Sequence, residues 1–349
     1  MNKKKIVTIG GGTGSFTLLS GLKNYQYDIG AIITMADDGG STGKLRDELG
    51  VLPPGDIRQC LVALSDASDE WRALMNYRFS AQGGQGSGWD SGLDGHNFGN
   101  LLLSALEKIN GGFSQGLKEA VKILNVYGEV IPVSTDDMRL TIKLNNGKIL
   151  AGEKELDDNE DVREVGIHKV QLSKRVCANK KAIEKIKKAN FIIIGPGDHY
   201  GSIMPNLLVG GIKNAIKTSK ARVIFVAPLT NKKGQTQNFD VGDYIVSIEE
   251  LIGKGRIDFV VYNSKKPHKS MIEKYEKQEG KNSLVVCNKK GNRKYKIVSG
   301  DLLRKEKITK INGDKLAHTR AFIRHDSDKL ARAIALITEY NEYKSFTIL

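Results

Sequence analysis

The sequence predicts an α/β protein with a Rossmann-like three-layer fold: a central, mostly parallel sheet, a helical insertion and small β-hairpin additions. The first observation is a strand, a glycine turn, a helix and a strand in succession over residues 6–33, which is the pattern of a βαβ unit. The second is a set of continuous apolar runs separated by helix-like segments, as in strands buried on both faces. These runs are residues 191–194, 222–227 and 257–262.

Between these halves the periodicity is first helical and then that of short strands. Apolar residues recur at helical spacing in four segments, which are residues 56–65, 70–78, 97–109 and 115–124. Two hairpin regions follow, with strands at residues 129–133, 138–144, 148–152, 283–288 and 294–298. The glycine-rich residues 82–88 are a candidate mobile loop. We expect one large domain in three parts, which span 1–128, 129–175 and 176–349.

Charge and composition narrow the class of protein. The 349 residues include 54 Lys and Arg against 40 Asp and Glu, a formal charge of +14. Residues 1–100 hold 11 acidic and 9 basic side chains, whereas residues 251–315 hold 18 basic and 7 acidic ones. Because no nucleic-acid-binding motif accompanies this charge, nucleic-acid binding is disfavoured. We interpret residues 251–315 as a solvated basic face, with an acidic protein partner as the alternative.

The cysteines and the hydropathy pattern indicate a cytoplasmic protein. Cys60, Cys177 and Cys287 are far apart and lack CxxC spacing, which argues against a disulfide framework or a zinc site. No apolar run reaches the ~18–20 residues of a membrane span, and the first residues do not form a signal-peptide pattern. We therefore expect a reducing compartment.

Two glycine loops are the strongest candidates for a binding site. Gly11, Gly12, Thr13 and Gly14 join the first strand to the first helix, where free N–H groups favour a phosphate. As a dinucleotide fingerprint this loop is incomplete, because Ser15 replaces the last glycine, and a tight turn without a ligand is the alternative. A second glycine-containing loop follows the carboxyl end of the buried strand at 191–194 and could bind a phosphate in the same way; its residues are Gly195, Pro196, Gly197 and Ser202. Two such loops can hold a diphosphate.

An acidic segment follows the second strand. Asp37 and Asp38 are expected beside the first glycine loop, because adjacent parallel strands end at one crevice. Such carboxylates suit a magnesium ion, general-base work or a sugar hydroxyl. The residues after them, Gly40, Ser41 and Thr42, would join the ligand site; the alternative is an Asx turn with helix capping, since Asp, Gly, Ser and Thr are ordinary turn residues. The segment lacks the P-loop pattern, which disfavours kinase-type ATP binding.

Several polar residues at helix ends are further candidates. Asp56 is a plausible helix N-cap, and Arg58 beside it suits either a nearby anion or a salt bridge to Asp37 or Asp38. Arg78 can contact a ligand or cap its helix. His96, Asn97 and Asn100 lie at the start of the predicted helix at 97–109. Such side chains can cap the helix, contact an anion or exchange protons near neutral pH. Arg324 could return to the same crevice.

Taken in order, these motifs resemble the CofD/YvcK family across nearly the whole chain. The matching segments are Gly-Gly-Gly-Thr-Gly at 10–14, Ala-Asp-Asp-Gly-Gly-Ser-Thr-Gly at 36–43, Pro-Pro-Gly-Asp-Ile-Arg at 53–58, Tyr-Arg-Phe at 77–79, Gly-His-Asn-Phe-Gly-Asn at 95–100, Gly-Pro-Gly at 195–197, Pro-Asn-Leu-Leu-Val at 205–209 and Ile-Arg-His-Asp at 323–326. One branch comprises magnesium-dependent 2-phospho-L-lactate transferases, and the bacterial branch comprises gluconeogenesis factors that bind UDP-sugars and affect cell shape and wall synthesis. The acidic segment and the Ile-Arg-His-Asp ending look more like the bacterial branch.

This resemblance implies a nucleotide-sugar-binding regulator in which Thr13, Tyr275 and Arg324 contact the ligand. The alternative is a transferase, in which Asp37 and Asp38 would hold magnesium or activate an acceptor hydroxyl. Magnesium is a possible cofactor and no organic cofactor is assigned. An NAD-dependent oxidoreductase is disfavoured, and we expect a homo-oligomer. The chain departs from the bacterial pattern at two places, which are Asp198-His199 after the second glycine loop and Asn231 to Thr236, where the usual Glu is absent.

Overall fold

The computed structural model describes residues 3–79, 92–288, 294–305 and 323–339. Ten strands and fourteen α-helices lie within these ranges. The strands are β1 (Lys4–Gly10), β2 (Tyr27–Ile33), β3 (Glu129–Pro132), β4 (Leu140–Leu144), β5 (Ile149–Ala151), β6 (Ile167–Leu172), β7 (Phe191–Ile194), β8 (Arg222–Val226), β9 (Phe259–Asn263) and β10 (Lys296–Gly300). The helices are α1 (Gly12–Leu22), α2 (Gly40–Leu49), α3 (Gly55–Leu64), α4 (Asp69–Asn76), α5 (Phe98–Ile109), α6 (Phe113–Ile123), α7 (Glu153–Asp158), α8 (Glu160–Val165), α9 (Lys180–Lys188), α10 (Met204–Leu208), α11 (Ile212–Thr218), α12 (Val241–Ile252), α13 (Lys269–Glu279) and α14 (Ser327–Glu339).

Seven strands form one parallel sheet in the order β10-β9-β8-β7-β1-β2-β3. This confirms the predicted Rossmann-like α/β fold with its mostly parallel sheet. The chain moves to one side of β1 through β2 and β3 and to the other side through β7, so the order reverses at β1. Loops leaving the carboxyl ends of strands on either side of such a reversal open a crevice, which is where this fold class binds ligands.

The predicted helices of the first half are confirmed within a few residues as α3, α4, α5 and α6. The buried isoleucines of β1 and β2, such as Ile6 and Ile29, are fully covered because helices lie over both faces of the sheet. α1 packs closely on α14, where Gly21 lies directly against the Ser327 backbone. Among the described residues, no helix is long and apolar enough to cross a membrane.

The first predicted hairpin region is only partly correct. The sequence places β3 at the start of the hairpin insertion, but β3 pairs in parallel with β2 at the edge of the main sheet. β4 and β5 do form an antiparallel pair around the Asn145-Asn146-Gly147 turn, and β6 completes a separate three-stranded sheet. The sequence of a short apolar strand does not specify which strand it pairs with. Because several helices separate β2 from β3, the chain can cross back so that β3 runs parallel to β2.

The second predicted hairpin is wrong. β10 pairs in parallel with β9, and the segment 283–288 contributes only an isolated bridge between Leu284 and Thr230. The helix α13 lies between β9 and this segment and acts as a crossover, which brings the next strand alongside β9 in the same direction. The predicted turn at Lys290-Gly291-Asn292 and the candidate loop at 82–88 lie outside the described residues.

Candidate functional site

Two connected chambers lie at the carboxyl edge of the sheet. The helix-start chamber has a volume of about 570 Å³ and lies beside the first residues of α2 and α3. The glycine-loop chamber has a volume of about 360 Å³ and lies between the two glycine loops. Thr13, Lys232, Gln235 and Arg324 are among the residues that line both chambers, so they mark the junction between them.

A larger groove of about 1050 Å³ lies at the opposite, amino-terminal edge of the sheet. Lysines such as Lys3, Lys5 and Lys188 line it, together with Tyr27 and Tyr127. Neither glycine loop reaches this edge, because both follow the carboxyl ends of their strands. Volume alone therefore does not identify the site, because the predicted site residues line the two smaller chambers and not this groove.

The two glycine loops meet in the glycine-loop chamber. Gly14 lies so close to the Pro196 carbonyl group and the Gly197 nitrogen that a β-carbon at position 14 would overlap them. The N–H groups at the start of α1 face this region, where the partial positive charge of a helix start favours an anion. The predicted loop residues lining the chamber are Gly11, Gly12, Thr13, Gly14, Pro196, Gly197 and Ser202.

Asp56 supports the first glycine loop from behind. Its carboxylate accepts a hydrogen bond from the Gly12 nitrogen and occupies the space where a β-carbon on Gly11 would lie. It is not the predicted N-cap, because Pro54 occupies the N-cap position of α3 and Asp56 lies within the first turn of that helix. Burial, and next the charge of Asp37, raise the pKa of Asp56 to about 8.

The acidic segment forms the floor of the helix-start chamber. The Asp37 carboxylate accepts hydrogen bonds from the Gly39 nitrogen, at 2.9 Å, and from the Thr42 hydroxyl. Burial is the main cause of its raised pKa. Gly40 and Gly55 line the same chamber as the first residues of α2 and α3, so two helix starts face the space in front of Asp37. This arrangement suits an anion accompanied by a cation.

Asp37 and Asp38 do not act as a pair in this structure. The Asp38 carboxylate accepts a hydrogen bond from the backbone N–H of Lys154 at 2.8 Å and packs on Gly152, and it lines neither chamber. Its contacts join the loop before α2 to the start of α7 in the small sheet insertion. Two other carboxylates lie near Asp37: that of Asp56, and that of Glu153, whose pKa is raised by burial and next by the charges of Asp37 and Asp56. Sequence reasoning missed Glu153, because no local motif marks it.

Arg58 is held by acceptors on neighbouring helices. Its Nε donates to Asn100 Oδ1 at 2.9 Å, and one Nη donates to the Met75 carbonyl oxygen at 3.1 Å. Its side chain lines the helix-start chamber and is largely buried. Arg78 lines the same chamber and donates to the Gly95 carbonyl oxygen. Both arginines therefore have fixed orientations at the edge of the cleft.

The structure thus separates the predicted site residues into two groups. The first group lines the chambers and includes Tyr275 and Arg324, which lie far from the glycine loops in sequence. The remaining lining residues of this group are Gly11, Gly12, Thr13, Gly14, Asp37, Gly40, Ser41, Thr42, Arg58, Arg78, Asn100, Pro196, Gly197 and Ser202. The rest line neither chamber; they are Asp38, Asp56, His96, Asn97 and Gly195. His96 Nδ1 lies 3.3 Å from the Ser41 hydroxyl, and Asn97 caps α5.

The two segments that depart from the family pattern meet at the chamber junction. Lys232 Nζ lies 2.5 Å from Asp198 Oδ2 and 2.8 Å from Asp157 Oδ1. Gln235, at the position of the usual Glu, donates to the Leu156 carbonyl oxygen at 3.0 Å and to Asp157 Oδ1 at 3.3 Å. Although burial acts in the opposite direction, Lys232 lowers the pKa of Asp198. Both departures are visible in the sequence, but the ion pair between Asp198 and Lys232 that joins them is visible only in the structure.

Replacing Asp56 with asparagine is expected to stabilise the ligand-free protein at pH 8 by at least about 1 kcal/mol. An acid whose pKa rises on folding, here from 3.8 to about 8, holds its proton more tightly in the folded state. The free energy of unfolding therefore falls as pH rises through this window, and the uncharged asparagine side chain would not contribute to that fall. Chemical denaturation at pH 5 and pH 8 measures the difference. The exposed Asp66→Asn is the control, and an unchanged pH slope in Asp56→Asn would contradict the assignment.

Comparison with known proteins finds relatives over almost the whole chain. Residues 6–303 match the family model described as 2-phospho-L-lactate transferase CofD. The chain is 37% identical over 286 residues to the gluconeogenesis factor of Halalkalibacterium halodurans, covering 82% of this chain and 85% of the relative. It is 35% identical over 280 residues to the gluconeogenesis factor of Bacillus subtilis, covering 80% and 84%. The crystal structure of protein BH3568 from Bacillus halodurans matches with a TM-score of 0.83 at 34% identity, covering 95% of this chain and 99% of that one.

Proposed function

Because the chain belongs to the CofD family, we propose that it is a cytoplasmic nucleotide-sugar-binding regulator of the gluconeogenesis-factor type. In this proposal it binds a UDP-sugar and is needed for cell shape and wall synthesis on gluconeogenic carbon sources. The names of its relatives support the gluconeogenesis-factor type. The observation that carries the ligand class is the two-chamber cleft, in which both glycine loops, Tyr275 and Arg324 converge.

The size and polarity of the cleft support a nucleotide-linked ligand. Backbone N–H groups at three helix starts offer donors to phosphate oxygens, and Arg324 lies at the junction of the two chambers. Tyr275 is almost fully buried in the wall of the glycine-loop chamber and offers a flat ring to a base or sugar. Two adjoining chambers match a ligand with two different ends joined by phosphates.

The alternative is a transferase that moves a phosphate-linked group to an acceptor hydroxyl. The buried carboxylates near Asp37 favour it, because raised pKa values are common where proton transfer or a cation is needed. Magnesium would fit at Asp37, which lines the chamber, but not at Asp38, whose carboxylate accepts a hydrogen bond from the backbone N–H of Lys154. Among the described residues no group of three or more acidic, His or Cys side chains converges on a metal position, so ligand phosphates would complete the shell.

We expect Arg324→Ala to weaken binding of UDP-N-acetylglucosamine at least about tenfold, because an arginine to phosphate hydrogen bond contributes about 1.5–3 kcal/mol. Isothermal titration calorimetry on wild type and variant measures this. Arg332→Ala is the matched control, since Arg332 is exposed on α14 and donates to its own helix. Absence of heat with every uridine and guanosine nucleotide would reject the proposal, and magnesium-dependent turnover of such a nucleotide would favour the transferase.

Two expectations about partners remain proposals. We propose an acidic protein partner for residues 251–315, supported by the exposure of Lys265, Lys266 and Lys269 within the described part of that stretch. Binding of a polyglutamate peptide that is lost on replacing these three lysines would support the acidic partner.

We also propose that the protein is a homo-oligomer. Sedimentation velocity measures its mass in solution, and a monomer would reject this proposal.

A further inference from the structure

We propose that Lys232 binds the diphosphate of the ligand at the junction of the two chambers, and that Asp157 and Asp198 orient Lys232 and set how much negative charge the junction accepts. We call these three residues the lysine bridge. The inference deepens the proposed function and rests on it, since it uses the same cleft. It adds a phosphate-binding residue and two positioning residues that the motif comparison did not assign.

The lysine bridge joins three separate segments of the fold. Asp157 belongs to α7 of the small sheet insertion, Asp198 follows β7, and Lys232 lies in the loop after β8. Two carboxylates on different sides hold the Nζ atom at 2.8 and 2.5 Å, so its position is determined from both. The Lys232 side chain is nevertheless 41% exposed, which leaves it accessible from the cleft.

The position of Lys232 matches that of a linking phosphate group. It lines both chambers, as do Thr13 of the first glycine loop and Arg324. A ligand whose two ends occupy different chambers must pass between these residues. The middle of a nucleotide-linked ligand is a diphosphate, and a lysine ammonium that lines the same chamber as the start of α1 is a suitable partner for it.

Asp198 explains why the lysine is needed. Its Oδ1 accepts a hydrogen bond from the Gly201 nitrogen at 2.6 Å, and its Oδ2 pairs with Lys232. Without the lysine, this carboxylate would lie unpaired beside the second glycine loop, where it would repel a phosphate. Lys232 therefore both attracts the ligand and neutralises a carboxylate that would oppose it.

A purely mechanical role for the lysine bridge makes a different prediction from this electrostatic one. If the bridge only held α7 against the cleft, breaking either ion pair would loosen the cleft and weaken binding. If it sets the charge of the junction, removing the cation should weaken anion binding, whereas removing a carboxylate should strengthen it. The sign of the effect therefore separates the two roles.

The test measures binding of inorganic pyrophosphate and of UDP-N-acetylglucosamine by calorimetry at low ionic strength. We expect Lys232→Met, which keeps the apolar stem, to bind both at least about tenfold more weakly, equivalent to about 1.4 kcal/mol. Asp157→Asn should bind pyrophosphate at least about twofold more tightly, and adding Asp198→Asn to Lys232→Met should recover at least about threefold. Lys148→Met is the control, because Lys148 pairs with Asp161 outside the cleft. Thermal unfolding of each variant identifies any that fail to fold, and Lys232→Gln then replaces Lys232→Met.

Each outcome bears on one proposal or the other. Wild-type affinity in Lys232→Met, weaker binding in Asp157→Asn, or no recovery in the double variant would overturn the inference while leaving the UDP-sugar proposal intact. Lysine-dependent binding of pyrophosphate without any binding of UDP-N-acetylglucosamine would support the inference and reject that ligand. Absence of binding for both compounds to wild type would reject both proposals.

Discussion

Replacing Gly14 with alanine is expected to destabilise the protein by about 1–3 kcal/mol and to remove measurable nucleotide binding. The added β-carbon would overlap the Pro196 carbonyl group and press on the Gly197 nitrogen. These are backbone atoms, so a side-chain rotation cannot relieve the overlap. The two glycine loops would have to separate, and the chamber between them would lose its shape. Chemical denaturation measures the stability, and calorimetry with UDP-N-acetylglucosamine measures the binding.

Gly300→Ala is the matched control for this variant. Gly300 ends β10, its φ is outside the left-handed region, and a β-carbon there would meet no atom within 4 Å. Its stability should therefore change by less than about 0.5 kcal/mol. If Gly14→Ala were as stable and bound ligand as well as Gly300→Ala, the close approach of the two loops would not be essential.

Replacing Arg46 with methionine is expected to lower the free energy of unfolding by about 2–4 kcal/mol. The side chain of Arg46 is 3% exposed and pairs with Asp137. It also donates to the Met138 carbonyl oxygen at 2.6 Å and to the Asp37 carbonyl oxygen at 3.4 Å. Methionine fills the space but leaves these acceptors without their donor, and it releases the acidic segment from the strand region before β4. Equilibrium unfolding in urea measures the loss.

Arg139→Met is the matched control for the Arg46 variant. Arg139 pairs with Asp47 between the same two regions, but its side chain is 39% exposed and that of Asp47 is 60% exposed. Because water competes for both partners, we expect a loss of no more than about 1 kcal/mol. Equal losses in the two variants would show that burial of Arg46 does not determine its contribution.

The fold was largely predictable because its signals are local and repeated. A βαβ unit with its glycine turn and continuous apolar strands specify parallel pairing within a short stretch of chain, as β1, α1 and β2 show. The partners of β3 and β10 were not predictable in the same way. A short apolar strand pairs equally well with the next strand or with a distant one, and the crossover helices before β3 and β10 decided the outcome.

The candidate site likewise has parts that were predictable from local sequence and parts that were not. By itself, the sequence determined the parts built from local backbone geometry: the glycine loops, the turn after β2 and the helix starts, since glycine and short polar side chains mark such positions directly. Only the tertiary structure decided that Asp38 supports the insertion, that Glu153 joins Asp37, and that Lys232 lies between Asp157 and Asp198. Charged side chains from distant segments carry no local signal of their partners, because packing of the whole fold brings their charges together.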